Sequence, residues 1–166
     1  MKRSLILIAL LMLTVSTANA QFVEQGDREI TFSGSLFSVS GLTMILMSGS
    51  YGIYHTERFE YGGGPTITYM SFGDDSNTTV GGTAFIKYTM EPRERLVPYL
   101  GARWYQFDFA PEEPVGFGDA AYLQFGGGLK YFLNEYVSYD LSTNLGFSLG
   151  DGDAAFLAVF GISAIF

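Results

Sequence analysis

The chain has 166 residues, with 9 basic and 17 acidic side chains and a formal net charge of −8 at pH 7. It contains no cysteine, which excludes disulfides, thiol catalysis and thiolate metal sites. The acidic balance argues against nucleic acid as a partner.

Residues 1–20 have the layout of a cleaved secretory signal peptide. The stretch MKRSLILIALLMLTVSTANA begins with Lys2 and Arg3, continues with an apolar run and ends in small residues. The apolar run is shorter than a membrane-spanning helix requires. We therefore expect export and cleavage after Ala20, which leaves one domain over 21–166 with 7 basic and 17 acidic residues, a net charge of −10.

Eight segments in which apolar and polar residues alternate follow, separated by turn signals. Alternation with period two is typical of strands and not of helices. A strand that crosses a membrane needs about 9–11 residues, so eight strands leave comfortable connections. The predicted strands are 29–39, 44–54, 59–72, 78–90, 97–109, 121–133, 137–149 and 154–166.

The polar face of these strands consists mostly of Gly, Ser and Thr, whereas strands facing water would carry many Lys, Glu and Gln. Small groups suit the crowded interior of an eight-stranded barrel, and the apolar face would then meet lipid. The sequence therefore predicts an all-β fold, an eight-stranded antiparallel up-and-down transmembrane β-barrel. A soluble periplasmic ligand-binding barrel, with its apolar face inside, is the alternative fold. The aromatic residues expected at the membrane interfaces are Phe59, Tyr69, Tyr88, Trp104, Tyr131, Phe147 and Phe166.

Six charges, three of each sign, fall on the predicted inner face. Lys130 and Asp140 are equidistant from the turn at residue 135, so we expect them to face each other across a hairpin. By similar counting, Glu60 is expected to lie diagonal to Lys87. Burial makes such pairing close to obligatory, which predicts a charged, hydrogen-bonded plug in the lumen, with solvated charges as the alternative. The six residues are Glu29, Glu60, Lys87, Arg103, Lys130 and Asp140.

The connections on the predicted outer side carry acidic residues and no basic ones. Such a rim could bridge to lipopolysaccharide phosphates through divalent cations, although ordinary solvated loop surface is the favoured interpretation. The loop over 110–119 is the longest of them and the place where a surface partner would bind. The acidic residues are Asp74, Asp75, Asp108, Glu112, Glu113, Asp119, Asp151 and Asp153.

The last segment, FLAVFGISAIF, keeps its alternation up to the final residue, with Phe160, Ile162 and Ala164 on the face of Phe166. We expect this strand to close the sheet against the first strand, so that no edge is left unpaired in lipid.

This ending, the strand VPYLGARWYQF, the hairpin FGGGLKYFLNEYVSYDLS and the signal ending ANA together resemble the small outer-membrane β-barrel family of the OmpA transmembrane domain and OmpX. The resemblance implies a location in a bacterial outer membrane, in contact with its lipid and lipopolysaccharide. It also implies insertion by the barrel-assembly machinery, which reads a C-terminal strand ending in an aromatic residue. A structural or cell-surface interaction role is the function implied.

The chemistry of an enzyme is missing. Two families of eight-stranded outer-membrane barrels, PagP and PagL, act on lipid A and use a catalytic His. Here His55 stands at a predicted turn without a candidate nucleophile, and no Ser follows it at the PagL spacing. We expect neither an enzyme nor a cofactor or metal site. A narrow porin-like channel for ions or small solutes is the alternative to a filled lumen.

Overall fold

A computed structural model of the chain describes residues 23–39, 42–106, 121–149 and 154–166. Every strand boundary that the described residues contain lies within three residues of its prediction, and residues 107–109 of the predicted fifth strand lie outside them. The eight strands are β1 (Arg28–Val39), β2 (Leu42–Thr56), β3 (Phe59–Phe72), β4 (Asp75–Thr89), β5 (Leu96–Gln106), β6 (Ala121–Phe132), β7 (Val137–Ser148) and β8 (Ala154–Ile165).

The strands form one closed barrel in which each strand pairs antiparallel with its neighbours in the chain. β8 returns to β1, where Glu29 pairs with Ile165 and Gly34 with Phe160. The predicted all-β, eight-stranded antiparallel barrel is therefore confirmed. The last strand closes it against β1 as expected, but the expectation that no edge stays unpaired is wrong beyond Gly34, where the β1–β8 pairing ends. Within the described residues no helix is long and apolar enough to cross a membrane.

The side chains sort as the alternation predicts, with small polar residues inside and large apolar residues outside. Buried hydroxyl residues on the inner face include Thr31, Ser48, Thr66, Thr83 and Ser142. Apolar residues that are more than half exposed on the outer face include Phe32, Leu36, Val80, Leu141 and Phe156. A soluble barrel would show the reverse arrangement, because water on the outside would leave these apolar side chains unburied.

Inward-facing glycines make room for the larger inner side chains. A Cβ at Gly128 would lie 2.6 Å from both the Cζ and the hydroxyl oxygen of Tyr99. A Cβ at Gly62 would lie 2.8 Å from the Cζ of Phe85, and one at Gly52 would collide with the carboxylate of Glu60. These glycines therefore allow bulky and charged side chains to cross a lumen that is only just wide enough for side chains.

Several predictions fall outside the described residues. The signal peptide over 1–20 is one, and the loop over 110–119 is another. Of the acidic rim, Asp74 and Asp75 are described and exposed, whereas the others lie in parts of the chain that are not described.

Candidate functional site: the barrel interior

Both described chain ends lie at one end of the barrel, which we call the proximal end; the other is the distal end. At the proximal end the backbone N–H of Arg28 donates to the carbonyl of Phe166, and the N–H of Phe166 donates back, both at 3.0 Å. The inner face changes in character from the proximal end to the distal end, in four layers.

The first layer is an apolar plug that fills the proximal mouth. Val23, which precedes β1, is 6% exposed and packs with inner residues of four different strands. The backbone N–H of Gly26 donates to the carbonyl of Tyr54 at 2.8 Å, and the N–H of Tyr54 donates to that of Asp27 at 2.9 Å. Gly26 has a φ of +95°, which favours glycine at this bend. The proximal plug consists of Val23, Tyr54, Val97, Phe132 and Ile165.

The second layer is a ring of four charges that crosses the lumen. The ammonium of Lys130 lies 2.5 Å from Glu29 and 3.6 Å from Glu60. The ammonium of Lys87 lies 3.6 Å from Glu29 and 3.3 Å from Glu60. Each charge therefore touches both members of opposite sign, and no member is more than 4% exposed. We call Glu29, Lys87, Glu60 and Lys130 the ion-pair ring.

Hydrogen bonds attach this ring to the surrounding strands. Tyr54 donates from its hydroxyl to Glu29 at 2.9 Å and accepts a hydrogen bond from Lys130 at 2.9 Å. Thr31 donates to Glu29 at 2.8 Å and shares a hydrogen bond with Ser163 of β8 at 2.9 Å. Since Tyr54 also belongs to the proximal plug, one side chain contacts both the plug and the ion-pair ring.

The pairing of the charges differs in part from the sequence prediction. Lys130 lies opposite Asp140 in the β6–β7 register, as expected, but its ion pairs are with Glu29 and Glu60. Asp140 instead accepts a hydrogen bond from the hydroxyl of Tyr99 at 2.6 Å. Glu60 lies directly opposite Lys87, so the predicted diagonal is wrong. The error arose because the exact register depends on how many residues the β3–β4 turn uses.

Arg103 lies apart from the ring. Its guanidinium donates to the hydroxyl of Tyr105 at 2.8 Å and lies over the rings of Phe85 and Tyr105, at 5.5 and 5.6 Å from their centres. Within the described part of the chain it has no carboxylate inside 4 Å. The six predicted inner charges thus form a four-membered ring and two separate groups.

The third and fourth layers, toward the distal end, are polar and then apolar. The hydroxyls of Ser48, Thr66 and Thr68 are buried and have no hydrogen-bond partner among the described residues. Beyond them Leu46 packs with side chains from β5 and β8. We call this set the distal cluster; it consists of Leu46, Tyr105, Leu157 and Val159, with Met44 and Tyr122 packed against it.

Sequence reasoning missed both apolar layers. Val97, Phe132 and Ile165 stand at positions that alternation assigns to the polar face, and so do Leu157 and Val159. Large apolar residues at inner-face positions near strand ends were therefore the available signal. The position of Val23 had no such signal, because it precedes the first strand.

The remaining predicted site residues lie on the outside. Phe160, Ile162, Ala164 and Phe166 alternate along the outer face of the last strand and are exposed. His55 is exposed as well. In the ranges that the structure describes, no group of three or more potential metal ligands comes together.

A closed eight-stranded barrel with an apolar exterior and a filled, polar interior is the architecture of small membrane β-barrels. No protein-family model matches the chain, and no curated protein matches it either.

Solved structures share the fold. The chain is 22% identical to the N-terminal β-barrel domain of Pseudomonas aeruginosa OprF, with a TM-score of 0.57 over 87% of this chain and 100% of that one. It is 13% identical to the Yersinia pestis outer membrane protein Ail, with a TM-score of 0.50 over 86% of this chain and 100% of that one. A de novo designed transmembrane β-barrel matches with 10% identity and a TM-score of 0.52, over 87% and 98%.

These likenesses confirm the predicted resemblance to small outer-membrane barrels at the level of the fold. A designed barrel shares that fold, so the fold by itself does not select a role.

Proposed function

We propose that the protein is a non-enzymatic β-barrel of a bacterial outer membrane with a structural or cell-surface interaction role and a sealed lumen. The observation that carries the proposal is the ion-pair ring, which joins β1, β3, β4 and β6 across the interior. In this placement the proximal end faces the periplasm and the distal end faces outward.

The ring is suited to act as a seal because each of its charges has its oppositely charged partners only in the closed arrangement. An ion that passed through would have to separate buried charges from their partners, and uncompensated buried charge is strongly unfavourable. The proximal plug adds an apolar barrier directly below the ring, with Tyr54 shared between them. Two barriers of different chemistry therefore lie in series.

The outer face supports the membrane placement. Large apolar side chains cover it around the barrel, including Phe32 at 65% exposure and Leu141 at 58%. Tyr88, Tyr131, Phe147 and Phe166, predicted for the interfacial girdles, also lie exposed on the outer face. Such a surface is stable in lipid and would aggregate in water. The partners we propose are outer-membrane lipid, lipopolysaccharide and, during insertion, the barrel-assembly machinery, which would read the strand ending at Phe166.

A narrow channel is the second candidate function. The unpartnered hydroxyls of Ser48, Thr66 and Thr68 favour it, because buried polar groups normally find water when the protein offers no partner. A short hydrated segment would then end at the ion-pair ring, and conduction would require that ring to open.

Single-channel recording on the refolded protein in a planar bilayer separates the two functions. Insertion is verified by the mobility difference between boiled and unboiled barrel on a gel. A sealed lumen predicts no openings for the wild-type chain, and openings only when Val23→Gly is combined with Lys130→Ala. Steady openings of the wild-type barrel would refute the sealed lumen and make transport the working function.

A further inference from the structure

The seam between β1 and β8 is paired over only half of its length. It has six residue pairs, from Glu29–Ile165 to Gly34–Phe160. The β4–β5 seam has eight pairs and ends at Gln106, where the described part of β5 ends, and the other six seams have between 11 and 14. The backbones of Ser35–Val39 and Ala154–Val159 are described on both sides, yet they pair only with β2 and β7, respectively.

The unpaired half of the seam faces the outer leaflet in the proposed placement. A strand crosses the membrane in about 9–11 residues, so the segment beyond Gly34 lies in the distal half of the bilayer. The side chains that border it on the outside are apolar, with Leu36 at 71% exposure and Phe156 at 64%. The unpaired edges of β1 and β8 are therefore bordered by the lipid-facing surface of the barrel.

The distal cluster lies on the inner side of the unpaired β8 segment. Leu157 and Val159 of β8 belong to it and are 6% and 5% exposed. Leu46, opposite Ser35 in the β1–β2 register, packs against the same cluster. An aliphatic chain that came through the seam would consequently meet apolar side chains inside, and the ion-pair ring would stop it from going farther.

The unpaired strand edges carry polar groups that a purely aliphatic molecule would leave without partners. Because Arg28 donates to Phe166 and strand amides alternate in direction, the N–H groups of Leu36 and Ser38 point toward β8. The buried hydroxyl of Ser35 has no hydrogen-bond partner within the part of the chain that the structure describes. Unpaired donors are costly in hydrocarbon, so an occupant that also carries carbonyl oxygens fits this edge best.

We propose that the distal half of the β1–β8 seam is a lateral binding site for an acyl chain of an outer-leaflet lipid. The tail packs on Leu157, Val159 and Leu46, and the ester or amide carbonyl accepts hydrogen bonds from the free β1 edge. The inference rests on the proposed membrane placement.

A tryptophan reporter inside the barrel tests the site. The single native tryptophan is removed by Trp104→Phe, and Leu157→Trp then places the reporter behind the seam. The matched control is Gln124→Trp, which is also inward-facing and 4% exposed but lies on β6, paired along both neighbours. The barrels are reconstituted in phosphatidylcholine vesicles with or without bromine atoms on the acyl chains, which quench tryptophan on close approach.

The proposal predicts much stronger quenching at position 157 than at position 124. A disulfide between Leu36→Cys and Ala158→Cys, which continue the β1–β8 register, should abolish that difference. A disulfide between Ile30→Cys and Ala164→Cys, in the paired half of the same seam, should leave it unchanged. Equal quenching at 157 and 124, or a difference that survives the first disulfide, would overturn the proposal.

Two further variants keep the outcome interpretable. Val159→Trp is the second reporter if Leu157→Trp does not give a heat-modifiable barrel. Leu100→Trp, outward-facing at a position that is 53% exposed, reports on insertion itself. If the tryptophan at position 100 is quenched and the one at position 157 is not, the acyl-chain site is refuted and the membrane placement stands. If the tryptophan at position 100 is not quenched, the membrane placement is refuted as well.

Discussion

The proximal and distal halves of the barrel are built from the same strands but are held together differently. In the proximal half, β1 is paired on both sides, and four buried charges and an apolar plug fill the interior. In the distal half, β1 is paired only with β2, and the interior contains hydroxyls without partners and an apolar cluster.

The difference shows that strand alternation alone does not make a barrel uniform. Both halves share the same alternation, yet the ion pairs that cross the lumen among the described residues all lie in the proximal half. Within them Glu60 is held by charge alone, because its two oxygens have no hydrogen-bond partner in the described part of the chain. Satisfied buried networks rigidify a structure, whereas unsatisfied ones leave it free to hydrate or to bind. We therefore expect substitutions in the proximal half to cost more than matched substitutions in the distal half.

The largest effect is expected from Lys130→Met. The substitution leaves Glu29 and Glu60 sharing one cation, and removing one partner of a buried ion pair costs about 3–5 kcal/mol. Urea unfolding of the barrel in lipid vesicles, followed by the shift in gel mobility, measures the loss. The double variant Glu29→Gln/Lys130→Met should recover part of that cost because it removes one charge of each sign. A single variant as stable as the wild type would show that the ring is not a stabilising network.

A smaller effect is expected from Gly128→Ala. Its Cβ would lie 2.6 Å from Tyr99 and 2.7 Å from the carbonyl of Leu141, so Tyr99 must move away from Asp140. Overpacking of this kind costs about 1–3 kcal/mol. The control is Gly49→Ala, whose Cβ would find Phe32 at an ordinary 3.6 Å. Equal stability of the two variants in the same unfolding assay would contradict the packing argument.

The next largest loss of stability is expected from a substitution in the proximal plug. Val23→Ala removes two buried carbon atoms, which at about 0.8 kcal/mol for each buried methylene amounts to roughly 1.5 kcal/mol. Glu24→Ala, at the neighbouring exposed position, should change the unfolding free energy very little. If the two variants unfold alike, the segment before β1 does not contribute to the plug.

The last comparison concerns two hydroxyls on β1 and includes the smallest expected effect, that of Ser35→Ala. Thr31→Val removes hydrogen bonds to Glu29 and Ser163 and should cost about 1–2 kcal/mol. Ser35→Ala removes a hydroxyl without a protein partner and should change stability by no more than about 0.5 kcal/mol. A reversed order of the two values would mean that the distal half of β1 is held as firmly as the proximal half.

The fold could be predicted from the sequence because the signals for strands and turns are local in the chain. Period-two alternation and turn residues located all eight strands, and the same alternation assigned Lys87 and Lys130 to the interior. The β6–β7 register followed from a short turn, so Lys130 could be placed opposite Asp140.

Contacts across the lumen could not be predicted in the same way. Glu29 and Lys130 are separated by 101 positions in the chain, and their contact depends on the barrel diameter and on the reach of both side chains. The apolar layers were missed because Phe132 and Leu157 were assigned by alternation to a polar face. The half-paired seam has no local signal either, because alternation continues unbroken through both strands.

Hydrogen exchange along β1 in lipid vesicles, resolved at single amides by NMR, tests the difference between the two halves most directly. The amides of Ile30 and Phe32 point toward β8 in the paired half, and those of Leu36 and Ser38 point toward it in the unpaired half. We predict slow exchange at the first two and much faster exchange at the last two, with the change falling beyond Gly34. Uniform protection along this edge of β1 would contradict the account, since it would show that the seam is paired along its full length.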